Sequence, residues 1–143
     1  MIFIALTDAI FVAPQIDTQA VAEAAGLGVT LIINNRPEDE SHDQTPGTEI
    51  EFAARLAGIN YVAIPVGHSG FSQPQVDAMV DALDTAEGKI LAYCRSGTRS
   101  TLLWALAQAK TGADPEMLSA TAAEAGYDLS PIRPLLDMFK GKA

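Results

Sequence analysis

A chain of 143 residues with 48% hydrophobic content is long enough to bury one core, so residues 1–143 read as a single domain. Its formal net charge of −9 argues against nucleic acid or an anionic membrane surface as partner. No apolar run reaches membrane-spanning length and no charged segment opens the chain, which sets the expectation of a cytoplasmic protein without a secretory leader.

Residues 2–6 and 10–12 are short apolar runs around Thr7-Asp8-Ala9, an edge hairpin expected to carry no chemistry. Asp17 or Thr18 caps a helix predicted through Ala25 and ended by Gly26 and Gly28, and residues 29–33 form a buried strand. The polar, proline-broken stretch from Asn34 to Gly47 is a long loop, and such loops in small domains are usually functional or mobile. Thr48-Glu49-Ile50-Glu51 has the form of a capping box opening a helix to Leu56. A strand over residues 60–64, an exit loop over 65–71 and a helix opened by Ser72-Gln73-Pro74-Gln75 and running through Ala86 follow. Lys89–Tyr93 is the next strand, residues 101–110 a helix, and two more helices are capped by Asp114 and Ser130, each with proline behind the cap. Leu118, Leu135, Leu136, Met138 and Phe139 are expected to cover the sheet. Strands separated by helices run parallel, so the exits after residues 33, 64 and 93 share one edge of an α/β sheet, where ligands bind.

At that edge stands Cys94-Arg95-Ser96-Gly97-Thr98-Arg99-Ser100, holding the only cysteine of the chain. Backbone amides between a buried strand and a helix start converge on one small volume suited to an anion. With Arg95 and Arg99 close by, they favour thiolate, the nucleophilic form of cysteine. Gly97 permits the tight turn, and the hydroxyls of Ser96, Thr98 and Ser100 can donate into the loop. A lone cysteine forms no internal disulfide and no zinc site without histidines at ligand spacing.

This loop resembles the catalytic loops of cysteine-dependent protein phosphatases and of rhodaneses. With Val12-Ala13-Pro14-Gln15-Ile16, Ile32-Ile33-Asn34-Asn35-Arg36-Pro37 and Tyr61-Val62-Ala63-Ile64-Pro65-Val66, the chain resembles the phosphatase-like domain of beta-lactamase hydrolase-like proteins, also known as domain of unknown function 442. The resemblance implies a three-layer α/β/α fold with a mostly parallel sheet, like that of the tyrosine and dual-specificity phosphatases. It also implies phosphomonoester hydrolysis through a phosphocysteine at Cys94, with Arg99 as oxyanion clamp, a small-molecule or protein phosphoester as substrate, and no metal or organic cofactor. Arg95 and Arg36 are secondary candidates for the anion; Arg36 follows Asn34-Asn35 at a sheet exit and either reaches it or stands at the surface.

Two departures pull elsewhere. Where such phosphatases place an aspartate on the loop after the strand ending near Val66, this chain has Gly67-His68-Ser69. His68 can supply the proton instead, since histidine exchanges protons near neutrality; Glu38, Asp39, His42 and Asp43 are weaker candidates. The phosphatase loop has five residues between cysteine and arginine, whereas only Arg95, Ser96, Gly97 and Thr98 stand between Cys94 and Arg99. That shorter loop is the size found in rhodaneses, which makes sulfur transfer through a Cys94 persulfide the alternative, and a non-catalytic oxyanion- or partner-binding module the third reading.

Overall fold

The structure is a computed structural model and describes residues 2–143. Two short strands, β1 (Ile4–Ala5) and β2 (Ile10–Ala13), are followed by α1 (Thr18–Gly26), β3 (Val29–Asn34), α2 (Gly47–Leu56), β4 (Asn60–Ala63), α3 (Gln73–Thr85) and β5 (Lys89–Tyr93). The helices α4 (Thr98–Lys110) and α5 (Pro115–Glu124), a 3-10 turn at Ser130–Ile132 and α6 (Arg133–Lys140) complete the chain. The sheet order is β1-β2-β5-β3-β4, with β1 antiparallel to β2 and every other pairing parallel.

Side chains alternate between the faces along the strands, as the two-residue period requires, except that a register irregularity in β3 between Val29 and Leu31 puts those two on opposite faces. Ile10, Val12, Leu31, Ile33, Ile90 and Ala92 enter one apolar cluster, which buries α3, α4, α5 and α6; Ala13, Val29, Ile32, Leu91 and Tyr93 enter the other, beneath α1 and α2. This is the three-layer α/β/α arrangement. Helix α4 lies inside its layer rather than on top of it: Leu103 to Ala107 and Ala109 are all buried.

Several local expectations change. The hairpin forms at the edge of the sheet as expected, with β1 outermost; what the sequence does not indicate is that β2 also pairs in parallel with β5, Ala13 opposite Tyr93, and so brings its own carboxyl end to the shared edge. Thr48 does not cap α2. That helix starts at Gly47 with Pro46 at the cap position, and the Gly47 N–H is taken by Glu38 Oε1 at 2.8 Å. At α1 the cap is Asp17, accepting from Ala20 N at 2.9 Å. Helix α4 begins at Thr98, three residues before the expected 101, because Gly97 adopts a left-handed φ of 88° and turns the chain directly into the helix. The expected Ser130 helix is a 3-10 turn followed by α6, where Leu136 and Phe139 are buried while Met138 stands 46% exposed. Among the described residues, no helix is long and apolar enough to cross a membrane.

Candidate active site

Four parallel strands end at one edge of the sheet, and their exits build the site. Cys94 follows the central strand β5; its N–H donates to Ala13 O at the end of β2 at 3.3 Å. The Sγ atom has no exposed surface and accepts the Gly97 N–H at 3.1 Å. Among the described residues, the N–H groups of Arg95, Ser96, Thr98, Arg99 and Ser100, donors of the loop and helix start, are without a backbone hydrogen-bond partner.

The loop after β3 is fastened by Asn35, which is completely buried. Its N–H donates to Tyr93 O at 2.8 Å, its carbonyl accepts from Val66 N at 3.0 Å, and Nδ2 donates to Ile64 O at 2.9 Å. Its Oδ1 accepts the Ser100 hydroxyl at 2.8 Å. One residue thus joins the exits of β3, β4 and β5 to the first turn of α4, through both its backbone and its side chain, with its polar groups paired as burial demands.

Arg99 leaves that first turn and lies beside Cys94. Its Nη1 donates to Glu40 Oε2 at 2.8 Å and to Val66 O at 2.7 Å, and its Nη2 donates to Glu40 Oε1 at 2.8 Å. Glu40 also accepts from Arg36 Nε at 2.9 Å, and Arg36 is held in turn by Gln15 Oε1 at 3.0 Å and Ser41 Oγ at 3.1 Å. The bidentate pairing and the second guanidinium hold the Glu40 carboxyl at about 2, against the opposing effect of burial. The same hydrogen bond is the main reason that Arg99 is raised further; burial opposes it and the nearby Cys94 adds to it.

A cavity of about 560 Å³ opens beside this cluster, lined by Pro37, Asp39, Glu40, Gly67, His68, Arg95 and Arg99. A second, of about 500 Å³, continues past Asp39 and Glu40 to Glu38, Ser41, His42, Gln44 and Pro46. Asp39 stands on the wall common to both, in a left-handed conformation with φ of 62°.

The sequence-predicted residues therefore divide. Cys94, Gly97 and Arg99 are brought together, and His68 and Arg95 face the same cavity as Arg99. Arg36 is buried behind Glu40, directed at the carboxylate rather than at the cavity. The hydroxyls of Ser96 and Thr98 bond each other at 3.0 Å and that of Ser100 turns to Asn35, while the donor that meets the sulfur is the Gly97 N–H. Gln15, Asn35 and Glu40 carry no local mark of their place in the site. Gln15 and Asn35 stand within the family-like segments 12–16 and 32–37, the one signal that points to them, whereas Glu40 stands in an acidic loop with nothing local to tie it to Arg99.

Residues 3–111 match the family described as beta-lactamase hydrolase-like protein, phosphatase-like domain. A beta-lactamase hydrolase-like protein of Xylella fastidiosa is 34% identical over 108 residues, covering 75% of this chain and 25% of that protein. The chain thus spans about a quarter of the length of the curated relatives it matches. A candidate phosphatase from Neisseria meningitidis has a crystal structure that superposes with a TM-score of 0.83 at 30% identity, covering 95% of this chain and 96% of its own. Tk-PTP, at 12% identity, shares the fold with a TM-score of 0.78 over 99% of this chain and 97% of its own.

Proposed function

The chain belongs to the phosphatase-like domain family of beta-lactamase hydrolase-like proteins, and from that premise we propose that it hydrolyses phosphomonoesters through a phosphocysteine at Cys94. One observation carries the reading: Cys94 Sγ lies at the carboxyl end of the central strand, in contact with the Gly97 N–H at 3.1 Å and beside the Arg99 guanidinium. The thiolate attacks phosphorus; the S–P bond forms as the ester O–P bond breaks. The leaving alkoxide takes a proton from His68, which faces the same cavity. Loop amides and Arg99 hold the equatorial oxygens, with Arg95 at the cavity wall as a further cation. Water then attacks phosphorus, gives a proton back to His68, and phosphate departs as the S–P bond breaks. Small phosphoesters fit a cavity of about 560 Å³.

A second reading is favoured by the four-residue spacing between Cys94 and Arg99 and by the absence of a carboxylate from Gly67-His68-Ser69. In it the thiolate attacks a sulfane sulfur, sulfite leaves with the bonding electron pair, and cyanide or a thiol takes the sulfur from the persulfide. No proton donor is required. Purified protein offered p-nitrophenyl phosphate, or thiosulfate with cyanide, separates the two. Aryl phosphate turnover that is lost in Cys94→Ser and in Arg99→Ala supports the phosphatase; undiminished turnover in either variant refutes the site. Thiocyanate production alone, with an added sulfur on Cys94 in the mass spectrum, moves the assignment to sulfur transfer. Oxyanion binding without either turnover, and a Cys94→Ser protein that works normally in the cell, identifies a binding module.

A further inference from the structure

We propose that Tyr127 is a positioning residue that sets the anion cradle through the Ser96–Gly97 peptide. Its hydroxyl donates to the Ser96 carbonyl at 3.2 Å. That carbonyl and the Gly97 N–H belong to one planar trans peptide and point in opposite directions, so holding the first outward aims the second inward. The Gly97 N–H is the donor that meets Cys94 Sγ at 3.1 Å. Tyr127 therefore acts on the nucleophile from outside the loop, without touching the reacting atoms.

The arrangement is built on both sides. The tyrosine ring lies against Gly97 so closely that a Cβ there would stand 2.3 Å from the hydroxyl oxygen and 3.2 Å from Cζ. Glycine at 97 thus serves the left-handed turn and leaves room for the ring. Tyr127 is itself fixed by the end of α5: Gly126, with φ of 94°, turns the chain back, the Tyr127 N–H donates to Ala122 O at 2.9 Å, and Leu129 is 2% exposed in the core. Burial, and secondarily the charge of Cys94, raise the phenol, so it is a donor at neutral pH. The tyrosine lies beyond residues 3–111, outside the segment that matches the family.

Tyr127→Phe removes the hydroxyl and keeps the ring. The proposal rests on the phosphatase reading for one readout, inhibition by orthovanadate, and stands apart from it for the other, the rate of Cys94 alkylation by iodoacetamide followed by mass spectrometry. The loss of one neutral hydrogen bond predicts alkylation slower, and vanadate affinity weaker, by about threefold to tenfold. Tyr61→Phe, which removes a half-buried hydroxyl from Asn34 Nδ2 at 3.0 Å, is the control for a general loosening and leaves both unchanged. Wild-type behaviour or faster alkylation in Tyr127→Phe, or equal losses in the two variants, overturns the proposal. Failure of the wild-type protein to bind vanadate or turn over aryl phosphate counts against the phosphatase reading alone; the alkylation rates then decide the role of Tyr127.

Discussion

Replacing Glu40 by glutamine takes one negative charge from between two guanidinium groups while keeping the size of the side chain. In the folded protein the carboxyl is lowered from 4.5 to about 2, chiefly by the Arg99 hydrogen bond, with burial opposing and Arg36 adding. At full value that displacement is worth about 3 kcal/mol. The side chain is 15% exposed and borders an open cavity, so solvent screening reduces it to about 1–2 kcal/mol. Because the folded value lies below the unfolded one, this stabilisation is complete above about pH 4.5 and is lost as the pH falls toward about 2. Urea unfolding at pH 7 should find Glu40→Gln less stable by about 1–2 kcal/mol. The gap should narrow below about pH 4.5, where the wild-type group itself becomes neutral and resembles the amide. A difference that holds constant from pH 7 down to about pH 2.5 refutes the ionic account of Glu40.

Ser100→Ala leaves the buried Asn35 Oδ1 without its donor, and urea unfolding should register a loss of about 1–3 kcal/mol; a loss below about 0.5 kcal/mol would mean that Asn35 does not fasten the loop. Gly97→Ala places a methyl 2.3 Å from the Tyr127 hydroxyl at a φ of 88°, and should cost more than about 1 kcal/mol of stability together with most of the vanadate affinity. A Gly97→Ala protein with wild-type vanadate inhibition would show that the loop turn is not needed for anion binding. Arg99→Ala should retain the fold by circular dichroism while losing vanadate binding; a folded variant with wild-type vanadate inhibition refutes its role as the oxyanion clamp.

Legibility in the sequence followed locality. The Cys94 loop could be read because strand, cysteine, glycine and arginine are contiguous, and the alternation of β3, β4 and β5 with helices fixed their common direction. Asp17 was recognisable as one of two candidate caps, beside Thr18, because such an acceptor and its N–H lie only three residues apart. The same logic misled at Thr48, where a sequence with the right form is bypassed because Glu38, nine residues upstream, reaches Gly47 first. Arg99 and Glu40 are 59 residues apart, and no period or spacing connects them. Likewise the parallel pairing of β2 with β5 depends on which strands share a sheet, a long-range choice that a hairpin signal between neighbouring runs does not contain.

Strand β5 has parallel neighbours on both sides, β2 and β3, and helical layers on both faces. Its amides should be among the last to exchange with deuterated solvent, opening only with the whole domain. The sulfur is thus carried by the stiffest backbone available, while Glu40 and Asp39 ride on a segment without helix or strand of its own. Natural variation could lengthen, shorten or recharge that segment and so alter what reaches the sulfur, with the mounting of Cys94 left as it is.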